Sequence, residues 1–371
     1  ARRKPSGESE QARNAGTGGL APSRFQWSIH FQKTFLAASL VLSPVISQVE
    51  AAITVAAADS LPEEKAKADL VCDGVDDQVE LAASLAKARQ GDTLIDVNPK
   101  TQKKVHCALN HAVEWLPGNY QLSATLEIPD AANCVIRAEG TTLHYQPTEG
   151  DGVVIRGTNR CRYNFGTIES GSSGVALRIQ PALSMPSLMS FINFTGLIGR
   201  DQRGTGLMLD PAHENVCVNR IEGTDILGFD KGVYVGSVGA RSGGGSSHGK
   251  CDTNWFWLSY IRLCNVCIEE GAEGVDDSVW RVNVDASVPG GVAIRTAGAY
   301  GKWYVIMGTY SFEMKNKALI LEPGARHSVF EMHPPIQEFA WEDRSGVDTN
   351  VILSSKSPPY RPFAELQTPA P

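Results

Sequence analysis

Eight short segments of this chain share one pattern of apolar and polar positions. Each segment has two aliphatic residues separated by any one residue, with Gly, Asn or Ala before them and usually a polar or charged residue after them. The first aliphatic residues lie 22 to 33 residues apart, at Val153, Val175, Leu207, Val233, Val266, Val292, Leu319 and Val351. Because side chains alternate faces along a strand, the two aliphatic positions point one way and the following residue points the other. The pattern predicts one short strand per unit of a repeating fold.

A repeat of this length is typical of a solenoid, in which each unit buries its apolar side chains only by stacking on its neighbours. Five of the eight segments begin with Gly. This predicts a tight corner with positive φ before each strand, which glycine adopts at no steric cost. The alternative is an ordinary β-sandwich with similar strands, but a sandwich would not readily hold two aliphatic columns over eight units.

An amphipathic helix is predicted at residues 76–89, ahead of the repeats. Its acidic residues come first, Lys87 comes late, and apolar residues occur at positions 79, 82, 85 and 86. The first coil of a solenoid has an open edge that must be covered. We therefore expect this helix to be an N-terminal cap.

The segment around this helix resembles a known superfamily. The motifs Asp73-Gly74-Val75-Asp76-Asp77 and Leu116-Pro117-Gly118-Asn119-Tyr120 are similar to those that open the first coils of the pectate-lyase-like superfamily. The resemblance covers residues 70–145 closely and residues 146–355 by coil pattern. It implies an all-β fold, a right-handed single-stranded parallel β-helix with an N-terminal capping helix. The superfamily includes lyases, hydrolases, epimerases, phage tailspikes and proteins without known activity, so the resemblance does not define the chemistry.

The sequence predicts four regions. They are a disordered leader plus secretory signal at 1–58, an N-terminal segment with the capping helix at 59–91, the β-helix at 92–355 and a Pro-rich tail at 356–371. The signal is inferred from the apolar stretch at 34–46, which is too short to span a bilayer. The alternative is a helix within a disordered leader. We expect a secreted, periplasmic or cell-surface protein with no membrane span after signal removal.

Charge and cysteine content narrow the possible partners and compartment. Residues 1–58 contribute six basic and three acidic side chains to the net charge of −7, so residues 59–371 carry −10. This charge disfavours nucleic acid as a partner. The eight cysteines are an even number, which is consistent with disulfides in an oxidising compartment. Cys264 and Cys267 have the spacing of a zinc or redox pair, but packing or a structural disulfide also explains them.

A candidate catalytic site follows from the outward column of the repeats. In the predicted register Asp210 and Glu269 lie two coils apart, roughly 10 Å, with Gly236 between them. An inverting glycosidase places two carboxylates at about such a separation around a water molecule. Asp210, Glu269 and Arg295 also match the carboxylates and base of calcium-dependent lyases in the superfamily, so Ca²⁺ is a candidate cofactor. The alternative is a charge ladder that only keeps an exposed sheet soluble.

A second row of strands combines aromatic and basic residues. We expect Arg281, Trp255, Trp257, Trp303 and Tyr304 to bind substrate, because rings stack on sugars and Arg holds a carboxylate or sulfate. Alternation along the strand places Trp255 and Trp257 on one face and Phe256 on the other, so part of this row belongs to the core. The Gly-rich loop from Gly236 to Lys250 could cover this surface or be a tolerated insertion.

The sequence departs from the known enzymes of the superfamily. Polygalacturonase-like hydrolases carry N-T-D, D-D, G-H-G and R-I-K motifs, whereas this chain has Asp276-Asp277, Arg178-Ile179-Gln180 and no G-H-G. The sequence therefore predicts an exported β-helix that binds, and in one hypothesis cleaves, an acidic or sulfated polysaccharide as a lyase or hydrolase. The other hypothesis is a non-catalytic surface or adhesin-like β-helix.

Overall fold

The computed structural model describes residues 51–89, 93–98, 103–107, 111–182, 185–212, 214–236, 249–271, 275–285, 288–308, 316–333 and 340–354. These residues form a parallel β-helix of about eight turns, so the predicted fold class is confirmed. Two helices lie near its N-terminal end, α1 (Pro62–Lys65) and α2 (Gln78–Ala88). No helix in these ranges is long and apolar enough to cross a membrane. The apolar stretch at 34–46, the loop at 237–248 and the tail at 356–371 lie outside the described residues.

The predicted repeats form most of one parallel sheet, here called the repeat sheet. Within the described ranges it contains β7 (Leu126–Ile128), β10 (Val153–Arg156), β13 (Val175–Gln180), β16 (Thr205–Leu209), β19 (Lys231–Val235), β22 (Val266–Glu270), β25 (Val292–Thr296), β27 (Lys317–Leu321) and β29 (Ala340–Asp343). Seven of the eight predicted segments lie in this sheet. The assignment of the eighth, which begins at Val351, is wrong. That segment belongs to a different sheet, and β29 takes its place.

The register of the repeat sheet differs from the predicted one by two residues at four steps. The observed pairs are Val153 with Leu177, Leu177 with Leu207, Val233 with Ile268, and Ile294 with Leu319. The strands do not alternate strictly at their first residues. For example, the adjacent Cys267 and Ile268 both belong to the main core.

Because of this irregularity, two residues that were predicted to lie in the core are on the other face of the sheet. Val266 and Val292 form a separate buried cluster with Ile320. Their column in the sheet also contains Lys231 and Lys317, which confirms that it faces away from the main core.

A second parallel sheet, here called the long sheet, runs along the whole solenoid. Its described strands are β1 (Ala51–Ala56), β2 (Leu70–Val71), β5 (His111–Trp115), β6 (Gly118–Leu122), β9 (Val135–Tyr145), β12 (Arg162–Ser170), β15 (Phe191–Gly199), β18 (Arg220–Leu227), β21 (Trp255–Arg262), β24 (Val279–Asp285), β26 (Lys302–Met307), β28 (Val329–His333) and β30 (Val351–Ser354). The main core lies between the two sheets and extends from Ile53 to Met332.

The remaining described strands are short. They form one sheet of β3 (Thr93–Asn98), β4 (Lys103–Cys107), β8 (Ala131–Ala132), β11 (Thr158–Asn159), β14 (Ser187–Leu188) and β17 (Val216–Cys217), and one pair of β20 (Cys251–Asp252) and β23 (Val275–Asp276). β3 and β4 are antiparallel. The predicted β-helix at 92–355 therefore begins with a hairpin, and parallel stacking follows from β4 onward.

The corners before eight strands of the long sheet use a left-handed residue that is not glycine. Eight residues have φ between 51° and 59° and lie two positions before a strand, namely Asn133, Arg160, Met189, Val218, Thr253, Asp277, Tyr300 and His327. The next residue in several coils has a side chain that accepts a hydrogen bond from the backbone of the preceding coil. Asn219 Oδ1 accepts from Ser190 N at 3.1 Å, and Asn254 Oδ1 accepts from Asn219 N at 3.0 Å. This polar ladder ties one coil to the next.

The glycines that begin the repeats serve a different purpose from the predicted one. None of Gly152, Gly174, Gly206, Gly232 and Gly291 is among the residues with positive φ, so the predicted conformation is wrong. They are needed for close approach between coils. A Cβ on Gly232 would lie 2.6 Å from the Cys267 carbonyl oxygen, which is closer than side-chain carbons approach oxygen in proteins.

Helix α2 covers the first coil, as predicted, but with a different face. It packs against β1, β5 and β7. Its buried residues are Leu81, Ser84, Leu85 and Ala88, whereas Val79 is 58 % exposed. The predicted face at 79, 82, 85 and 86 is therefore wrong except at Leu85. Ser84 misled the prediction because it is polar but buried, donating to the Leu81 carbonyl at 2.6 Å.

The motif at 73–77 and the segment that follows the motif at 116–120 join this cap to the first coil. Asp77 is fully buried, and its carboxylate accepts hydrogen bonds from the backbone N–H of Gly74 and Gln121 at 2.8 and 2.7 Å.

The strand β1 is also part of the first coil and pairs with β5. Because Ile53 and Val55 are buried, the folded region begins before residue 58, where the sequence placed the end of the leader.

Seven of the eight cysteines are buried thiols. The predicted disulfides are not present among these seven, which are Cys72, Cys134, Cys161, Cys217, Cys251, Cys264 and Cys267. A hydrogen bond from Cys264, together with burial, raises the pKa of Cys267 well above its ordinary value. Packing is therefore the role that the structure gives to this pair.

One carboxyl group lies inside the core. Glu270 occupies an inward position next to Val235 in the repeat sheet, and the residue is 4 % exposed. It accepts hydrogen bonds from Trp280 Nε1 at 2.8 Å and from Thr296 Oγ1 at 2.6 Å. Burial raises its pKa from 4.5 to about 7 despite these donors. Glu270 therefore binds a proton more tightly in the folded protein than in the unfolded chain.

We expect Val233→Asp to destabilise the protein by about 3 kcal/mol or more, because it places an unpaired charge in the core. Val233 is fully buried, whereas Val351 is 46 % exposed. Val351→Asp is therefore the matched control and should leave the free energy of unfolding nearly unchanged. Urea unfolding of both variants checks this expectation, and equal stability of the two would show that the inward column is misplaced.

We expect stability to fall as pH rises from about 4.5 to about 7 through Glu270. In this window the unfolded carboxyl loses its proton first, so the unfolded state is favoured by about 3 kcal/mol in all. Glu270→Gln should remove this loss and raise stability at pH 8. Thermal unfolding at pH 5 and pH 8 measures the effect. Glu127→Gln is the control, because a hydrogen bond from Arg156 lowers the pKa of Glu127, and a similar change in both variants would contradict the assignment.

Candidate functional site

The predicted catalytic residues lie on the outer face of the repeat sheet but not in the predicted arrangement. Glu269 pairs with Tyr234 on one side and with Arg295 on the other. Tyr234 in turn pairs with Met208, and Asp210 lies two residues beyond Met208. The strand between those of Asp210 and Glu269 therefore presents Tyr234 rather than Gly236 in the Glu269 column. The predicted gap at Gly236 is wrong because of the two-residue shift in register.

Asp210 is held in a buried ion pair. Its side chain is 8 % exposed, and its Oδ2 lies 3.1 Å from an Arg178 guanidinium nitrogen. The same guanidinium also pairs with Asp151, because its Nη2 donates to Oδ1 at 3.1 Å and its Nε lies 2.9 Å from Oδ2. Arg178 thus joins carboxylates from two neighbouring coils.

Glu269 belongs to a second chain of ion pairs. Lys231 Nζ lies 2.9 Å from Glu269 Oε1, and an Arg295 nitrogen lies 3.6 Å from Oε2. Arg295 also lies 3.7 Å from Glu322, which contacts Arg344 at 3.0 Å. The structure brings Glu269 and Arg295 together, but each charge is already opposed by a neighbour. This arrangement stabilises the stacking of coils by pairing unlike charges in successive strands.

Tyr234 occupies the space that the sequence assigned to a sugar ring. Its hydroxyl oxygen lies 3.5 Å from the position that a Cβ on Gly236 would take. The Lys231 ammonium lies 4.6 Å from the centre of its ring. Burial, followed by the charges of Glu269 and Asp210, raises the pKa of Tyr234. The phenol is therefore neutral at physiological pH and fills the face between the two carboxylates.

The described residues contain one group of three metal-ligand side chains, and it lies elsewhere. Cys72, Asp77 and Glu80 place their ligand atoms within 4.8 Å of one another under the N-terminal cap. Both Asp77 oxygens accept backbone N–H groups, and a thiol is a poor partner for calcium, which prefers oxygen. A calcium site at Asp210 and Glu269 stays a prediction.

Four of the five predicted substrate-binding residues, all except Trp303, lie on the outer face of the long sheet. Trp257, Arg281 and Tyr304 pair in succession across three coils, and Trp255 begins the same strand as Trp257. We call the surface they define the aromatic–arginine strip; its members are Arg162, Phe191, Arg220, Trp255, Trp257, Arg281 and Tyr304. The strip crosses six strands of the long sheet, a length of about 24 Å at 4.8 Å per strand.

Arg281 is the cation of the strip that lies between two of its aromatic residues. Its guanidinium carbon lies 5.8 Å from the centre of the Trp257 ring, and Tyr304 follows it in the next coil. Among the described residues no carboxylate pairs with Arg281. A guanidinium beside aromatic rings keeps its N–H groups for planar anions such as carboxylate or sulfate. The strip therefore offers an anion-binding group between two flat apolar rings.

The other half of the strip repeats this combination. Arg220 lies 4.0 Å above the Trp257 ring centre and 5.6 Å from that of Phe191. Arg162 lies 5.3 Å from Phe191 on its other side. Arg220 also donates to Glu222 at 2.6 Å. Glu222 is the only carboxylate that forms a described ion pair with the strip, so the surface has a positive charge.

Trp303 does not belong to this surface, and its predicted role in binding is wrong. It is 3 % exposed and stacks between Trp280 at 4.7 Å and Phe330 at 5.5 Å. Phe256 stacks on the other side of Trp280 at 3.7 Å. Trp303 faces inward because it precedes Tyr304, and neighbours along a strand point to opposite faces.

Sequence reasoning missed two residues that complete these surfaces. Phe191 has no Arg or Trp in its own strand, and only strand pairing places it between Arg162 and Arg220. Tyr234 lies inside a predicted repeat, where an aromatic residue between two valines gives no signal of a polar role. Both were found only through the register.

Comparisons with known proteins do not add to this description. Neither a protein-family model, nor a curated protein, nor a solved structure matches the chain. The fold and the two surfaces are therefore the basis for assigning a function.

We expect Asp210→Asn to lower stability by about 1–3 kcal/mol, because Arg178 loses a buried charged partner. Glu127→Gln removes one partner of an exposed pair with Arg156 and should cost less than about 1 kcal/mol. Thermal unfolding compares the two variants. A protein with Asn at 210 as stable as the parent would show that the ion pair does not hold the coils together.

Proposed function

We propose that this protein binds an acidic or sulfated polysaccharide on the aromatic–arginine strip. The observation that carries the proposal is Arg281, a cation with no described carboxylate partner that lies between Trp257 and Tyr304 in successive coils. A sugar ring presents an apolar face to an aromatic ring, while its carboxylate or sulfate accepts paired N–H groups from arginine. The strip provides both contacts repeatedly along one line.

The shape and charge of the strip favour a linear glycan over other polyanions. Cations recur along about 24 Å of one sheet face, which matches a chain that carries an anion at regular intervals. Nucleic acid would also meet these cations. However, residues 59–371 carry a net charge of −10. This charge disfavours nucleic acid, because the affinity for nucleic acid depends on the number of phosphates that the protein neutralises.

The ion pairs of the repeat sheet favour binding without cleavage, as in a surface or adhesin-like module. Asp210 and Glu269 are each opposed by a cation at 3.1 Å or less. A general acid or nucleophile must instead be free to reach the substrate. Cleavage by Asp210, Glu269 and Arg295 is the second hypothesis. Incubation with uronic-acid and sulfated glycans separates the two, because a lyase gives unsaturated uronates, a hydrolase gives only reducing ends, and a binding module gives neither.

Export and superfamily membership are part of the same proposal. Extracellular polysaccharides are reached by proteins that leave the cytoplasm, and the apolar stretch at 34–46 has the layout of a secretory signal. The coil architecture and the buried Asp77 of the first motif support a relationship to the pectate-lyase-like superfamily. The seven cysteines that form no disulfide with one another give no support for an oxidising compartment.

We expect Arg281→Gln to weaken glycan binding about tenfold or more, because a charged hydrogen bond contributes about 1.5–3 kcal/mol. Trp257→Ala should also weaken binding, and the affinity of the parent protein should fall with salt. Arg200→Gln is the matched control, since Arg200 is exposed but pairs with Glu169 away from the strip.

Calorimetric titration with polygalacturonate, heparin and neutral dextran measures these affinities. The proposal requires binding to at least one anionic glycan and none to dextran. Equal affinities of the Arg281→Gln and Arg200→Gln proteins would exclude the strip as the binding surface.

A further inference from the structure

Cations and aromatic rings alternate from coil to coil along the aromatic–arginine strip. In its first half, Phe191 pairs in register with Arg162 on one side and with Arg220 on the other. The two guanidinium carbons lie 5.3 and 5.6 Å from the centre of the Phe191 ring. One ring therefore separates two arginines that are two coils apart.

The alternation continues in the second half of the strip after a step of two residues along β21. Arg220 pairs in register with Trp255, but its guanidinium carbon lies 4.0 Å from the centre of the Trp257 ring, the next outward side chain of the same strand. Trp257 pairs with Arg281, and Arg281 pairs with Tyr304. The order over six coils is therefore cation, ring, cation, ring, cation, ring.

This order sets the spacing of the cations along the solenoid. Neighbouring strands of a sheet are about 4.8 Å apart, so arginines that are two coils apart repeat at about 9.6 Å. An extended chain of six-membered sugar rings advances by about one strand spacing for each sugar. A glycan that lies along the strip therefore meets one arginine at every second sugar.

The rings position the arginines and leave them accessible. Arg162 and Arg220 are exposed, whereas Phe191 and Trp257 are partly buried between the coils. A guanidinium above an aromatic ring keeps its N–H groups at its edge, in a planar fork that matches a carboxylate or sulfate. The strip thus presents anion-binding edges at a fixed interval.

Glu222 affects the strength of one cation but not the interval. Arg220 Nε donates to Glu222 Oε1 at 2.6 Å, and Arg220 Nη2 contacts the same oxygen. A guanidinium has five N–H groups, so the edge that contains Nη1 faces away from Glu222. Arg162 and Arg281 form no ion pair within the described part of the chain. These two arginines are therefore the stronger anion-binding groups, and Arg220 is the weaker one between them.

Two other cations of this sheet face lie outside the alternation. Arg137 pairs in register with Glu114, which has the opposite charge. Lys302 lies between Val279 and Val329 in its column. Neither has a ring of the strip beside it in register, so neither adds a cation to the alternating order.

A glycan with an anion on every sugar fits this order poorly. Every second carboxylate would lie over an aromatic ring, whose face carries partial negative charge. Such a carboxylate would lose water without gaining a cation as a partner, which opposes binding. An uncharged sugar at the same place would bury its C–H groups against the ring instead.

We propose that the strip binds a linear glycan in which charged and uncharged sugars alternate, with one anionic sugar for every two sugars. The glycan runs along the solenoid axis. Its charged sugars lie at Arg162, Arg220 and Arg281, and its uncharged sugars lie at the rings between and after them. This inference rests on the proposed function, because it specifies which acidic glycan the strip recognises.

Two hexasaccharides test the spacing on the unchanged protein. A hyaluronan hexasaccharide alternates glucuronate with uncharged N-acetylglucosamine, whereas a galacturonate hexasaccharide carries a carboxylate on every sugar. In calorimetric titrations we expect the dissociation constant to be at least about tenfold lower for the hyaluronan hexasaccharide, although it has half the charge. Attraction by charge alone would give the opposite order.

An added arginine tests the placement of the cations. Phe191→Arg puts a cation in each of three successive coils. We expect it to shift the ratio of the two affinities about threefold or more toward the galacturonate hexasaccharide, because one more carboxylate then has a charged partner. Thr195→Arg is the matched control, since Thr195 is exposed in the same strand but outside the strip. It adds the same charge and should leave the ratio unchanged.

The outcomes separate this inference from the proposed function. Equal or tighter binding of the galacturonate hexasaccharide by the unchanged protein would overturn the alternating order, while an acidic glycan would still bind. The same shift of the ratio in the Phe191→Arg and Thr195→Arg proteins would also overturn it. If neither hexasaccharide binds, the alternating order is wrong, and the titration with heparin decides the proposed function by itself.

Discussion

The structure depends on the backbone contact between successive coils. No coil can bury its own apolar side chains, so each needs a neighbour at the spacing of a parallel ladder. The corners before the long sheet set this spacing. Val218 is left-handed there although it is β-branched, which costs about 1–2 kcal/mol. The corner is nevertheless maintained because the amide of the next residue, Asn219, then reaches the Asn254 side chain at 3.0 Å.

The same stacking decides which polar groups are free to bind a ligand. In a ladder, a side chain meets the residues at the same register in the coils on either side. On the repeat sheet Glu269 has Arg295 at its register on one side, and on the other side Lys231, three residues before its partner Tyr234, reaches its carboxylate. On the long sheet, the neighbours of Arg281 are Trp257 and Tyr304, which cannot neutralise it. A candidate binding surface therefore arises where the column pairs a charge with aromatic rings rather than with another charge.

The fold could be predicted from the sequence because the two aliphatic columns involve many residues. An error at one strand therefore does not change the predicted fold class. It was insufficient for the site because a ladder site depends on register. A shift of two residues keeps each side chain on its face, so the aliphatic pattern could not reveal that Tyr234 rather than Gly236 is level with Glu269. The other errors concern which residues are buried. The polar Ser84 is buried and hid the inner face of the capping helix, and Trp303, predicted to bind substrate, has its ring in the core.

The core and the aromatic–arginine strip are two faces of the same strands. Phe256, Trp280 and Trp303 alternate with Trp257, Arg281 and Tyr304, so each inward ring adjoins an outward member of the strip. The inward rings stack at 3.7 and 4.7 Å between centres, which fixes the position of each strand relative to the next. A ligand on the strip would thus meet side chains whose backbone is already ordered. Because ordering an interface opposes association, a surface supported in this way loses less free energy on binding than one built on loops.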